Sequence, residues 1–349
     1  MIRAAAAARL LPLFACFALG CAGSESGRDL AAGWRGLLAI RGADLGDPVE
    51  LQRARYADAV FAGRLADPKI SEASGLALSR RRDDLLWTFN DGARKPQLYA
   101  LGTDGRDRGR VRVEGAEPSD WEDLAAFDWE GRSYLAVADT GDNFSWRRSV
   151  LLLVIEEPRL AGERFPSGAT ARVAWRFRFR FEDGPRDCEA MAVDPEQPRA
   201  LLLSKRTEPP VLYELPLLPG EPGGDGSDPD GRPALRVARR LGEVPGIPPP
   251  TRADVEEAGW LGRYRAMPTG LDLSRDGKLA AVATYKDAYL FTRADGEGWA
   301  AAFAGAPERI PLPPMRQAEA IAFGADGRSL FVTSERRPAP LFRLDWREE

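Results

Sequence analysis

Carboxylates recur in this chain where short apolar runs begin. Glu72-Ala-Ser-Gly-Leu-Ala, Glu122-Asp-Leu-Ala-Ala-Phe, Glu189-Ala-Met-Ala-Val and Glu319-Ala-Ile-Ala-Phe share one pattern, and Thr269-Gly-Leu-Asp-Leu repeats it with a hydroxyl in place of the acid. Asp120 and Asp187 stand two residues ahead of Glu122 and Glu189. A second polar set closes the apolar run that follows each opening: Asn90-Asp91-Gly92, Asp139-Thr-Gly-Asp142-Asn143, Lys205-Arg206, Tyr285-Lys286-Asp287 and Ser334-Glu335-Arg336. Oxygen ligands of this kind suit a hard cation, and acids beside such a cation are the parts of metal-assisted hydrolysis.

The expected cation set is Asp120, Glu122, Asp139, Asp142, Asn143, Asp187 and Glu189, with calcium as the ion. Glu122 or Glu189 would take a proton from water, and Lys205, Arg206 or Arg336 would stabilise the oxyanion. Glu72, Asn90, Asp91, Glu319, Lys286 and Glu335 would line the ligand pocket, whose cations suit a small anionic group. The same residues allow a structural alternative. In it each glutamate bonds the backbone of its neighbour, and Lys205, Arg206, Lys286 and Arg336 pair with the ring acids.

The chain has no histidine. That excludes Ser-His-Asp and Cys-His nucleophile systems and His-ligated zinc or iron. With 49 basic and 53 acidic residues the net charge is −4, and no basic patch supplies what nucleic-acid binding needs. Abundant arginine and scarce lysine, alongside much Ala, Gly and Pro, read as genome composition and not as an arginine-driven function.

The openings stand 50, 67, 80 and 50 residues apart. Each is followed by a second apolar run and then by a third, such as Gln97-Leu-Tyr-Ala-Leu, Val211-Leu-Tyr-Glu-Leu or Pro340-Leu-Phe-Arg-Leu. Strand-only repeats of this length predict an all-β chain folded as a β-propeller. We count five blades, or six if a further unit lies within 242–267. The run Ala59-Val-Phe-Ala-Gly-Arg-Leu65 is expected to close the ring as the outer strand of the last blade, which otherwise ends after three strands near Leu344. Insertions fall at 219–233, rich in Gly, Asp and Pro, and at 242–267, where Thr251 is placed to cap a short helix. In a propeller the loops entering the inner strands and those leaving the second strands share one face, which brings the two polar sets together.

Residues 1–21 read as a secretory leader, with Arg3 and Arg9 ahead of the apolar stretch Leu10 to Gly20 and Cys21 at its end. Ala18-Leu19-Gly20-Cys21 resembles a bacterial lipoprotein signal, which implies lipidation of Cys21. Ala22 is not the Asp that retains lipoproteins at the inner membrane, so the expected place is the outer membrane, facing the periplasm or the surface. The domain reading is leader 1–21, tether and lead-in 22–56, and propeller 57–349. Cys188 is then the one unmodified thiol, expected as a packing residue, and the chain is expected to be monomeric.

Glu72-Ala-Ser-Gly-Leu-Ala, Leu86-Trp-Thr-Phe-Asn-Asp, Asp120-Trp-Glu-Asp-Leu-Ala, Gly141-Asp-Asn, Leu203-Ser-Lys-Arg and Ala318-Glu-Ala-Ile-Ala-Phe with Thr333-Ser-Glu are similar to the phytase-like β-propellers associated with esterase-like activity. The resemblance covers most of residues 59–346. It implies calcium-bound acids on the top face and hydrolysis of a phosphoester or ester. Thr269 departs from the pattern where the fourth unit would carry an acid. Two further functions fit the same residues. One is a non-catalytic module that binds an envelope protein through its insertions. The other is a glycosidase using two channel carboxylates.

Overall fold

The computed structural model describes residues 45–92, 95–117, 120–217, 234–315, 317–335 and 337–348. Cys21 and the leader, the 219–233 insertion and Arg336 lie outside them.

The chain is mostly β. Strands β2 (Ala73–Leu78), β3 (Leu85–Asn90), β4 (Gln97–Gly102) and β5 (Asp107–Glu114) form the first antiparallel unit. The second unit is β6 (Trp121–Trp129), β7 (Arg132–Asp139), β8 (Val150–Glu156) and β9 (Thr170–Phe181). The third is β10 (Cys188–Val193), β11 (Arg199–Ser204), β12 (Val211–Pro216) and β13 (Leu235–Glu243). The fourth is β14 (Pro268–Leu273), β15 (Leu279–Thr284), β16 (Asp287–Thr292) and β17 (Glu308–Pro311). Strands β18 (Ala318–Phe323), β19 (Leu330–Ser334) and β20 (Pro340–Leu344) take β1 (Val60–Arg64) as their outer strand, antiparallel to β20.

Burial along the strands follows their place. The first strands β2, β10 and β18 are buried at every residue and read as runs of small and apolar side chains, as strands covered on both faces must. The outer strand β9 alternates instead, with Arg176, Arg178 and Arg180 between Phe177, Phe179 and Phe181. Strand β2 packs on β6, β6 on β10, β10 on β14, β14 on β18, and β18 back on β2. Five apolar clusters lie between successive units, and the fifth joins Phe331 and Leu341 of the last to Leu76 and Leu86 of the first.

Side-chain hydroxyls stitch neighbouring units. Ser74 Oγ donates to the Glu122 carbonyl at 2.6 Å, Thr140 Oγ1 to that of Cys188 at 2.7 Å, and Thr269 Oγ1 to that of Ala318 at 2.9 Å. Asp123 reaches further. Its Oδ2 accepts from Met191 N of β10 at 2.7 Å and Leu271 N of β14 at 3.1 Å, while Oδ1 accepts from Leu124 N at 2.8 Å. One carboxylate therefore ties three first strands together.

Three features depart from the sequence reading. The units are not separate sheets, because β9 is twelve residues long and its two ends pair with strands of the neighbouring units as well as with β8. Its start pairs in parallel with Arg112–Glu114 of β5, and its end pairs with Leu235–Ala238 of β13, joining twelve strands into one sheet. Segment 242–267 adds no strand beyond the end of β13 until β14 begins. It holds a helix at Arg252–Ala258 and a 3-10 turn at Gly259–Tyr264, which removes the sixth unit considered there. Part of the supposed tether is also docked: Tyr56 O–H donates to the Arg328 carbonyl at 2.7 Å and packs edge-on to Trp346 at 5.2 Å.

Thr251 caps the insertion helix in a capping box with Asp254. A further short helix, Trp299–Ala304, has no counterpart in the sequence reading, and Trp299 Nε1 anchors it to Asp194 Oδ2 at 2.9 Å. No helix among the described residues is long and apolar enough to cross a membrane.

Candidate functional site

The repeated openings correspond to one backbone device. Each of the five first strands is interrupted by a register shift near its start, and the residue left out of the pairing is Gly75, Glu122, Glu189, Thr269 or Glu319. Such a bulge turns one side chain out of the normal alternation. Repeated in five units, it gathers three glutamates and a threonine at one end of the first strands. The fifth position is empty of side chain. Gly75 sits at φ +66, and a Cβ there would lie 2.8 Å from Leu124 N.

This corrects the place of Glu72. It stands three residues ahead of the bulge, half-buried, so it is not the counterpart of the other glutamates despite its matching motif. The first unit contributes Asp91 instead, just beyond the end of β3, where its N–H donates to the Glu72 carbonyl at 2.9 Å.

Two groups of acids converge. One oxygen each from Asp91, Asp120 and Glu122 lie within 4.8 Å of one another, and so do oxygens of Glu122, Asp187 and Glu189. Glu122 belongs to both. It is 5% exposed, and among the described residues no hydrogen bond or ion pair reaches its carboxylate. Asp91 Oδ1 is likewise buried without a partner. Beneath Glu122 and Asp120 lies Gly141, where a Cβ would fall 2.1 Å from Glu122 Oε1 and 2.4 Å from Asp120 Oδ2. Only a glycine lets the two acids settle onto the backbone here.

The second group carries its own cations. Lys205, 5% exposed, is ion-paired with Glu189, and its Nζ also donates to Tyr285 Oη at 2.7 Å. Arg206 is bonded through Nε to Asp187 and through Nη2 to Asn143. Among the described residues no Lys or Arg bonds the first group: Arg147, whose charge acts on Asp120, spends its bonds on Asp139 at 2.7 Å and the Gly141 carbonyl at 2.8 Å.

Electrostatics follow from this crowding. Burial, then the charges of Asp120, Glu189, Glu335 and Glu72, push the Asp91 carboxyl up to about 8. Burial, then Glu189, Asp91 and Asp120, hold Glu122 well above the ordinary range, and burial dominates the rise at Asp120, Glu189 and Glu319 as well. Burial opposes the ammonium form of Lys205, but the charges of Glu189, Tyr285, Glu319 and Asp187 outweigh it and hold its pKa well above the usual value.

Several expected site residues are engaged elsewhere. Asp139 pairs with Arg147. Asp142 accepts from Trp146 N and Arg147 N, each at 2.8 Å, and Asn143 accepts from Arg206, so none of the three joins a carboxylate group. Asn90 is spent on the backbone, accepting from Ser71 N at 2.9 Å and donating to the Lys69 carbonyl at 2.7 Å. Lys286 does not face the ring acids. It bonds Asp254 at 2.6 Å, and although burial works against the charge of Asp254, the bonds from Lys286 and Thr251 bring its carboxyl down to about 2. Lys205 and Arg206 take the ion-pairing alternative. Glu335 N donates to the Gln317 carbonyl at 3.2 Å, and its charge acts on Asp91 and Glu319. Cys188 is fully buried and packs as expected.

The sequence reading passed over Gly141, Tyr285 and Asp123 as functional positions. The signal for Gly141 was its place in Asp139-Thr-Gly, aligned with Asn90-Asp91 of the first unit. Asp123 was hidden by its glutamate neighbour.

No family model matches the chain, and no curated protein matches it. Among solved structures, a gluconolactonase from Xanthomonas campestris is similar at 13% identity and TM-score 0.41, over 88% of this chain and 99% of that one. A structure of a nidogen/laminin complex is similar at 13% identity and TM-score 0.38, over 77% of this chain and 74% of that one. The β-propeller domain of Cps50 (Swd1) from Myceliophteria thermophila follows at 14% identity and TM-score 0.35, over 75% and 62%. At such identities and scores, the chemistry of the mouth rests on its own residues.

Proposed function

We propose that the five units are the blades of a five-bladed propeller, and that its acidic mouth binds one divalent cation, calcium by chemistry, to hydrolyse an uncharged carboxylic ester. The observation that carries this reading is the Glu122 carboxylate: buried, without a partner among the described residues, and shared between two groups of acids above a glycine. Asp91, Asp120 and Glu122 fit a hard cation because they offer only oxygen, are bonded by no Lys or Arg among the described residues and lie close enough to share one ion. When bound, the cation supplies Lewis-acid polarisation of the ester carbonyl.

The remaining steps belong to this chain. Glu189 is the base: burial raises its carboxyl toward the pH at which proton transfer is efficient, and Lys205 holds it in place. The phenol of Tyr285 accepts from Lys205 and is free to donate its proton to a substrate oxygen. Arg206 is committed to Asp187 and Asn143, so the oxyanion role expected of it passes to Tyr285.

Charge selects the ester over the phosphoester. Among the described residues the carboxylates Asp91, Asp120, Glu122, Asp187, Glu189 and Glu319 are met by the charges of Lys205, Arg206 and Arg147, and when all six are ionised a bound dication does not reverse that balance. A phosphate dianion would enter against a negative field. The test is hydrolysis of 4-nitrophenyl acetate and 4-nitrophenyl phosphate with calcium, with chelator, and in Glu122→Gln. The expected result is calcium-dependent turnover of the acetate that the variant loses. Turnover untouched by chelator and variant would overturn the cation-dependent reading, and no turnover of either substrate would put the non-catalytic envelope module in its place. The anchor is part of the same proposal: Cys21→Ser should move the protein from the membrane to the soluble fraction of the envelope.

A further inference from the structure

We propose that Lys205 is a built-in second cation: by pairing with Glu189 its ammonium takes up one of the three acids in the group formed by Glu122, Asp187 and Glu189, and thereby holds the mouth to a single metal ion in the group formed by Asp91, Asp120 and Glu122. This rests on the cation-dependent reading above and goes beyond it by assigning the stoichiometry and the residue that sets it.

The two groups are alike in what a metal ion would see. Each offers three carboxylates with mutual oxygen separations inside 4.8 Å, and they share Glu122 as a bridge between them. Carboxylate-bridged pairs of this kind ordinarily hold two metal ions about 3.5–4 Å apart. What differs is the occupant. In the second group a positive charge is already present, covalently attached and 5% exposed, paired with Glu189 and braced by Tyr285 Oη at 2.7 Å. The Tyr285 ring lies 4.9 Å from the same nitrogen. Asp187 is met from the outside by Arg206. In the first group no Lys or Arg bonds any of the three acids among the described residues, and Asp91 Oδ1 and the Glu122 carboxylate both lack a partner.

A lysine is suited to this role because its ammonium is a compact point charge with three donors, close to a small cation in what it asks of carboxylates. Being tethered, it cannot be chelated or diluted away, so Glu189 stays neutralised when the metal ion leaves. Like charges brought close together repel strongly inside a protein, so an ammonium bonded to Glu189 excludes a second dication there while leaving the first group, across Glu122, open.

The experiment counts bound calcium on the full chain in detergent, by calorimetric titration and by elemental analysis after dialysis. The wild-type protein should bind one calcium per chain and Lys205→Met two, the second disappearing again in Lys205→Met with Glu189→Gln. Lys205→Arg, which keeps the charge, should stay at one. If Lys205→Met does not fold, the assignment of the first group is read in other variants. Asp187→Asn should keep calcium affinity within about threefold of wild type, while Asp91→Asn should weaken it by about thirtyfold or more. A wild-type chain that binds two ions, a Lys205→Met chain that still binds one, or an Asp187→Asn chain as weakened as Asp91→Asn would overturn the inference. A wild-type chain that binds none would overturn the cation-dependent reading itself.

Discussion

Glu122 rests on Gly141: a Cβ added to the glycine would lie 2.1 Å from Glu122 Oε1 and 2.4 Å from Asp120 Oδ2. The conflict is with two acids and not with the backbone, since Gly141 is absent from the residues with positive φ. Gly141→Ala should therefore fold, yet push both carboxylates out of line. We expect calcium affinity to fall about tenfold or more, with the metal-free melting temperature changed by only a few degrees. Titration of calcium into the variant, alongside its thermal melt, checks this. Affinity equal to wild type would mean that the two acids do not act from that position.

Calcium should stabilise the folded chain by mass action. At a hundredfold excess over the dissociation constant the gain is about 2.7 kcal/mol, or roughly 4 °C in melting temperature for a chain of this size. Glu122→Gln should lose that gain. It should also melt at or above the wild-type temperature in chelator, because it removes a buried carboxylate that its neighbours repel. A calcium-free Glu122→Gln that melts well below wild type would show the glutamate to be structural.

How much of this was legible in the residues depends on which interaction places each one. The openings at Glu122, Glu189, Thr269 and Glu319 were readable because the bulge they mark recurs at the same point of each unit. Glu72 was misleading for the same reason. Its motif matches by letter, but Gly75 takes the bulge because glycine alone accepts that backbone at no cost, and letter matching cannot see register. Thr251 as a cap is a local signal, and it was found. The partners of Lys205, Arg206 and Lys286 are not local: each is fixed by how far a loop from one unit reaches toward an acid of another, and Lys286 meets Asp254 only because the 242–267 insertion folds as a helix. The joining of β5, β9 and β13 was hidden by length alone, for nothing in Thr170–Phe181 marks where β8 stops covering it.

The raised acids make stability depend on pH in a definite direction. Asp91 has its folded carboxyl near about 8, against roughly 4 when unfolded, and Asp120, Glu122, Glu189 and Glu319 shift the same way. Between these values the folded chain holds more protons than the unfolded one, so stability falls as pH rises. Metal-free protein should melt higher at pH 5 than at pH 8, and saturating calcium should flatten the difference by replacing the protons. Asp91→Asn should make the slope shallower between about pH 4 and 8. Melting curves across pH in chelator and in calcium decide it, and a metal-free protein that gains stability toward pH 8 would contradict the crowding of acids described here.

Asp123 carries a different load from its neighbour. Its carboxylate receives Leu124 N, Met191 N and Leu271 N, so Asp123→Ala leaves three buried N–H groups on three first strands without an acceptor. Each costs about 1–3 kcal/mol, which places the loss at several kcal/mol and the drop in melting temperature at roughly 4–14 °C. Asp123→Asn keeps one oxygen for Met191 and Leu271 but turns an amide donor toward Leu124 N, and should lose about half as much. Neither change touches the carboxylates of the mouth, so calcium should still bind both variants while they remain folded. Thermal melts in chelator separate the two functions of this one dipeptide: Glu122 sets the cation and barely moves the metal-free melt, while Asp123 sets the melt. If Asp123→Ala melts within 2 °C of wild type, about the shift expected of a neutral surface change, the bridge between β6, β10 and β14 does not hold the first strands together.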